Sequence, residues 1–252
     1  MRRARRFLMV VAVIYAVACA VLFVAQRTLL YPAPAPLAVR VPPGAELRAL
    51  DLDGATVPLL LTAGHPHVLF FHGNGGQLAR SVPTSAAASA AGLAFAAVEY
   101  PGYGEATGAG PSESGILAAA RAALAEIGEP APACVGHSLG SGVAVAMAAE
   151  GRCAAVVLAS AFTSIPDMAA RQYPYFPVRL LVLDRFDSRS RAPRVAVPAL
   201  LIHGRRDTQI PPGYGEALAA AIPGATFELV DRAHNDIVDD AFWARVADFL
   251  RR

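Results

Sequence analysis

Residues 133–145 read ACVGHSLGSGVAV. A short apolar run ends at Gly136, and an alanine-rich run begins just past Ser138. The first has the continuous apolarity of a strand buried on both faces; the second, Leu139 to Glu150, is helical. Ser138 therefore sits on a sharp strand-to-helix turn. Gly136 and Gly140 on either side let the two elements approach closely. The hydroxyl is raised at a helix N-terminus, where free N–H groups and the helix dipole favour developing negative charge. A serine there is also a common helix N-cap, so the turn alone leaves two readings.

The surrounding chain repeats the alternation. ELRALDL and TVPLLLT predict an opening antiparallel pair, and HVLFFHG, LAFAAVEY, AAVVLAS, ALLIHG and TFELVD predict further strands. Helical stretches fall at 82–91, 112–127, 139–150, 214–221 and 238–250. This predicts an α/β fold with a mainly parallel sheet flanked by helices. Almost forty residues separate LAS from PALLIHG, too many for a loop, so residues 161–197 are expected to form a helical cap.

A serine hydroxyl needs a base to become a nucleophile. Asp207 lies just past the strand ALLIHG, and His234 just past TFELVD. The order Ser138, Asp207, His234 is the one expected when all three stand on loops at one edge of a sheet. His234 is then the general base, and Asp207 fixes its tautomer. The rival carboxylates Asp184, Asp187 and Asp231 occupy less suitable positions. An oxyanion needs two donors. The N–H of Leu139 is one, and the bare loop FFHGNGG supplies the other at Asn74. His72, His137 and His203 flank these turns and read as structural. His65 and His67 have metal-ligand spacing without a third ligand, so no metal is expected.

The first 25 residues carry four arginines and no acid, whereas the rest carries 18 basic and 20 acidic residues. That balance argues against a nucleic-acid-binding face. Residues 7–25 are unbroken apolar chain, about 28 Å as a helix, close to the thickness of a bilayer core. The expected organisation is a basic cytoplasmic end (1–6), a single transmembrane anchor (7–25), a Pro/Ala-rich tether (26–44) and a folded domain (45–252). The arginines predict a cytoplasmic N-terminus in the cell's inner membrane, with the domain on the other side. A cleaved signal peptide is the competing reading, but its apolar core is normally shorter. Of the three cysteines, Cys134 and Cys153 are expected as buried free thiols, because cysteines on neighbouring strands seldom have disulfide geometry; a disulfide is the alternative.

The chain resembles the α/β-hydrolase superfamily, and within it the small membrane-anchored serine hydrolases that include abhydrolase-domain lipases and depalmitoylases. The resemblance rests on FHGNGG, EYPGYGEATGAGPSESG, GHSLGSGVA, LASAFTSI, YPYFPVRLLVLDRFDS, LIHGRRDTQIPP and AHND, from about Tyr31 onward. It implies ester or thioester hydrolysis of lipid-like or acylated substrates without a cofactor, with the triad and oxyanion donors named above. One departure is Ala106, where relatives often carry a serine. Tyr103 is expected to line the substrate cleft. Tyr173, Tyr175 and Phe176 read equally as cap core or as an acyl-chain groove. A peptidase, or a silent hydrolase fold that binds a lipid or partner, is the alternative function.

Overall fold

The computed structural model describes residues 2–252. A long helix, α1 (Arg2–Leu30), leads into an irregular strap. The hairpin β1 (Glu46–Leu52) and β2 (Ala55–Leu61) follows, turning at Asp53-Gly54 with Gly54 at φ 76°. The chain then alternates: β3 (Val68–Phe71), α2 (Leu78–Ala90), β4 (Phe95–Val98), α3 (Glu113–Ile127), β5 (Ala133–His137), α4 (Leu139–Ala149) and β6 (Val156–Ala159). Three short helices form the cap, α5 (Ile165–Gln172), α6 (Val178–Leu181) and α7 (Ser188–Arg191). β7 (Ala199–Gly204), α8 (Pro212–Ala219), β8 (Thr226–Val230) and α9 (Asp240–Leu250) complete the chain.

The strands make one eight-stranded sheet in the order β1-β2-β4-β3-β5-β6-β7-β8. β1, β2 and β4 pair antiparallel, and every pairing from β4 across to β8 is parallel. Strands β3, β4, β5, β6 and β7 are buried along most of their length, as their uninterrupted apolar runs require. One face packs against α3, α4 and α8. The other is covered by α2 and α9, where Trp243 meets Phe70 and Phe95 edge-on at 6.0 and 5.7 Å. The chain winds from β3 to β4 in one direction and then crosses to β5 on the other side of β3. The carboxyl ends of β3 and β5 thus flank a switch point, the usual crevice of open α/β sheets.

Three local features differ from the sequence expectation. Helix α2 begins at Leu78, four residues before the expected start, because Pro83 stands inside the helix and not in its first turn. Helix α1 continues five residues past Ala25, to Leu30. The segment after it is extended, yet it is strapped to the domain. Tyr31 is buried in the core, the Leu37 N–H donates to Gln77 Oε1 at 2.9 Å, and Gln77 Nε2 donates to the Ala35 carbonyl at 3.1 Å.

Cys134 and Cys153 form a disulfide, and the free-thiol expectation is corrected. Cys134 lies in β5 opposite Val156, but Cys153 precedes β6, in the turn after α4. Its side chain is not bound to the pleat of a neighbouring strand, and the Cα atoms come within 5.7 Å. Denatured under non-reducing conditions, the protein is expected to offer one maleimide-reactive thiol, Cys19, and three after reduction. Cys153→Ser should lower stability by about 2–4 kcal/mol in urea unfolding; three reactive thiols without reductant would count against the pairing.

Candidate active site

The strand-to-helix turn is built by backbone contact. A Cβ at Gly140 would lie 2.0 Å from the Phe71 carbonyl oxygen, and one at Gly136 would lie 2.2 Å from the Gly140 carbonyl oxygen. Only glycine lets α4 start this close to β5 and β3. Ser138 itself is held at φ 53°, ψ −118°, in a region that non-glycine residues rarely enter. Its side chain caps nothing, so the N-cap reading loses its motive. Ser141 takes over local satisfaction, its hydroxyl donating to the Ser138 carbonyl at 2.6 Å.

The sheet edge brings three distant side chains together. His234 Nε2 lies 3.0 Å from Ser138 Oγ, and His234 Nδ1 lies 2.7 Å from Asp207 Oδ2. All three residues are buried. With Nδ1–H donating to the carboxylate, Nε2 is left as the acceptor facing the hydroxyl. The other carboxylates are engaged elsewhere. Asp184 binds Arg27, Asp187 accepts the Ser190 N–H at the start of α7, and Asp231 pairs with Arg206 at the surface.

Asp207 stays ionised against its burial. Desolvation alone raises a carboxyl's pKa. Hydrogen bonds from His203, His234 and the Ile210 N–H outweigh it and hold Asp207 well below the ordinary carboxylate range. The Gln209 and Ile210 N–H groups both donate to Oδ1, at 3.0 and 2.8 Å, leaving Oδ2 for the imidazole. His203 and the histidines at positions 72 and 137 all bond backbone. His203 Nε2 meets the Ile210 carbonyl at 2.8 Å, and His137 Nε2 meets the His234 carbonyl at 2.9 Å.

The glycine loop after β3 packs directly on the turn: a Cβ at Gly73 would lie 3.3 Å from Ser138 Cβ. Among the described residues, the N–H groups of Asn74 and Leu139 have no hydrogen-bond partner. Behind this loop, His72 Nε2 and Glu99 Oε1 form a fully buried pair at 2.9 Å. Glu99 Oε2 accepts the Leu78 N–H at 2.8 Å, at the first turn of α2. Glu99 was not singled out in the sequence. A carboxylate closing an otherwise apolar strand, AAVE, was the available signal, because a buried charge needs partners.

Tyr103 does not line the cleft as expected. It is 1% exposed, and its hydroxyl donates to the Asn74 carbonyl at 2.8 Å, behind the loop. A cavity of about 520 Å³ opens over the site, lined among others by Arg80, Thr84, Ser138, Gln209, His234 and Asn235. A second, mainly apolar cavity of about 310 Å³ lies between the end of α1 and the cap, and Gln209 borders both. Tyr173 lines this second cavity. Tyr175 is 85% exposed, and Phe176 stacks on Tyr15 of α1 with centroids 5.7 Å apart.

Burial, followed by the proximity of His234, pushes the His137 imidazole down to about 4. Its unfolded value is near 6.5. Between these values the unfolded chain binds a proton that the folded chain does not. Stability should therefore fall as pH drops from about 6.5 to 4, by up to about 3 kcal/mol from this group. The check is the urea midpoint against pH, expected to flatten in His137→Gln; equal slopes would contradict it.

The model of a family described as the alpha/beta hydrolase fold matches residues 66–181. An uncharacterised protein of Mycobacterium tuberculosis is 36% identical over 251 residues, covering 92% of this chain and 89% of its own. The lysophosphatidylserine lipase ABHD12 of Danio rerio is 29% identical over 203 residues, covering 71% of this chain and 53% of its own. Among solved structures, an esterase of Pyrococcus furiosus superposes with a TM-score of 0.69 at 16% identity, covering 87% of this chain and 98% of its own. Sheet order, elbow turn and sequence kinship agree, and the chain belongs to the α/β-hydrolase family.

Proposed function

We propose that this protein is a membrane-anchored serine hydrolase that cleaves ester or thioester bonds of lipid-like or acylated substrates. The observation that carries the reading is the relay from Ser138 Oγ to His234 to Asp207, at 3.0 and 2.7 Å, on a serine strained out of regular geometry. Ser138 Oγ attacks the acyl carbonyl while His234 Nε2 takes its proton. Asp207 stabilises the imidazolium that forms. The oxyanion is received by the N–H groups of Asn74 and Leu139. Collapse expels the alcohol or thiol, protonated by His234, and leaves an acyl-Ser138. Water, deprotonated by the same histidine, attacks that ester, and the carboxylic acid departs with Ser138 restored.

The two cavities suit the two halves of such a substrate. The polar one over Ser138 offers Arg80, Thr84 and Asn235 to a leaving group. The apolar one, lined by Leu22, Leu30, Met168, Ala169, Tyr173 and Val182, suits a single acyl chain. Its volume is at the small end of ligand sites. The α1 helix is long and apolar enough to cross a membrane, with a mean hydropathy of 3.0 over its best 18-residue window. In this reading the N-terminus is cytoplasmic, which the arginines at its start support, and the domain lies in an oxidising compartment, with which the disulfide agrees. From Tyr15 to Ala25 the helix rises about 15 Å. In this reading the cap residues that touch Tyr15, Phe176 and exposed Tyr175, lie within the outer half of the bilayer, and Leu183, bonded to Gln26, lies at its surface.

In full-length protein in detergent, a fluorophosphonate probe is expected to label the parent and not Ser138→Ala. Asp207→Asn should lower kcat by roughly 10⁴-fold through the wrong imidazole tautomer. Ala169→Trp should fill the apolar cavity. On a series of p-nitrophenyl esters it is expected to depress turnover of long chains at least about tenfold, with the acetate unchanged. No labelling and no turnover in folded parent protein would sink the hydrolase reading; equal effects at all chain lengths would sink only the acyl site.

A further inference from the structure

The last carbonyls of a helix have no partner within it and must find donors elsewhere. At the end of α1, the Arg27 carbonyl takes the Tyr31 N–H at 2.8 Å. The Leu30 carbonyl takes Nδ2 of Asn74, at 3.1 Å and 44 residues away. Asn74 is the loop residue whose N–H is the second oxyanion donor in the reading above, on which this inference rests.

The rest of that loop is held by its carbonyls. The His72 carbonyl accepts the Tyr100 hydroxyl at 2.8 Å. The Gly73 carbonyl accepts the Gly76 N–H at 2.9 Å and faces His72 Nδ1 at 2.8 Å. The Asn74 carbonyl accepts the Tyr103 hydroxyl at 2.8 Å. Three successive carbonyls are thus tied to the loop itself and to the tyrosines that follow β4. The ties on the Gly73 carbonyl fix the plane of the Gly73–Asn74 peptide and so the direction of the Asn74 N–H, while the Asn74 side chain, bonded to the Leu30 carbonyl, ties the place of that residue to α1.

The same turn of α1 also grips the cap. Gln26 donates from Nε2 to the Leu181 carbonyl at 3.3 Å and accepts the Leu183 N–H on Oε1 at 2.8 Å. Arg27 pairs with Asp184 at 3.0 Å, and Asp184 in turn accepts the Glu113 N–H at the start of α3. The exit of the membrane helix is therefore locked to the domain on one side and to the oxyanion loop on the other.

We propose that the C-terminal end of the anchor helix is part of the catalytic centre: the Leu30 carbonyl, through the Asn74 side chain, positions the Asn74 N–H for the oxyanion. Asn74 is in this sense a positioning residue as well as a donor. Gln26 and Arg27 set the position of Leu30. The anchor is then not a passive address. A displacement of α1 relative to the domain loosens the oxyanion hole while leaving the serine, histidine and aspartate in place.

The test uses full-length protein in detergent micelles, with p-nitrophenyl butyrate as substrate and active sites counted by end-point fluorophosphonate labelling. Asn74→Asp keeps the side-chain shape but presents oxygen, not N–H, to the Leu30 carbonyl; Asn74→Ala removes the contact. Loss of one oxyanion donor lowers kcat by about 10²–10³-fold, and a misplaced donor retains part of that. Both variants are expected to lower kcat per labelled site by roughly 10–100-fold, with KM changed less than about threefold. Gln26→Ala/Arg27→Ala should lower kcat by roughly 3–10-fold, and its effect should vanish on the Asn74→Ala background, because both act through one contact. A merely structural role would reduce the number of labelled sites and the melting temperature while leaving kcat per site intact. Asn74 variants with kcat per site within about twofold of the parent would overturn the proposal, as would full multiplication of the losses in the triple variant. If the Asn74 variants do not fold, Gln26→Ala/Arg27→Ala decides, and an unchanged kcat overturns it. Absence of labelling in the parent instead removes the hydrolase reading itself.

Discussion

The whole site hangs on one close approach, that of the first turn of α4 to the ends of β5 and β3. With 2.0 Å between an imagined Gly140 Cβ and the Phe71 carbonyl oxygen, no side chain is admissible there. That contact does three things at once. It turns the chain sharply enough to force Ser138 into positive φ, and it aims the first N–H groups of α4 over the sheet edge. It also sets the glycine loop after β3 against the serine. Almost all of α4 is buried, so the packing around it holds the strain in place.

Charge at this edge is arranged so that the histidine meets a carboxylate already ionised and already oriented. Two backbone N–H groups occupy one oxygen of Asp207, and His203 stands 3.5 Å from the other beside His234. Desolvation works against the ion, and the hydrogen bonds exceed it. A parallel arrangement lies one layer deeper, where Glu99 and His72 tie the glycine loop after β3 to α2. In both places a buried carboxyl group fixes backbone through its hydrogen bonds.

The N-terminal segment joins what sequence reading separates into address, tether and enzyme. The strap buries Tyr31 and bonds to Gln77, and the end of α1 closes the apolar cavity against the cap. The long apolar helix and the site at the sheet edge therefore share one structural unit. One wall of that cavity is the helix itself.

The elbow, the strand-helix alternation and the order Ser138, Asp207, His234 were legible in the sequence, because each rests on local chemistry. Glycines flank a turn, apolar runs make buried strands, and polar residues follow strand ends. The long apolar helix α1 was legible for the same reason. What was not legible depends on which distant groups meet. The disulfide needed the placement of Cys153 in a turn and not in a strand. Tyr103 had the composition of a cleft residue, and the packing turned it behind the loop. Glu99 and His72 find each other across 27 residues, and Asn74 and Leu30 across 44. Local sequence sets where a chain bends and which face is apolar. Only the folded chain decides which buried polar group satisfies which, because that pairing is a global solution to the cost of leaving any of them alone.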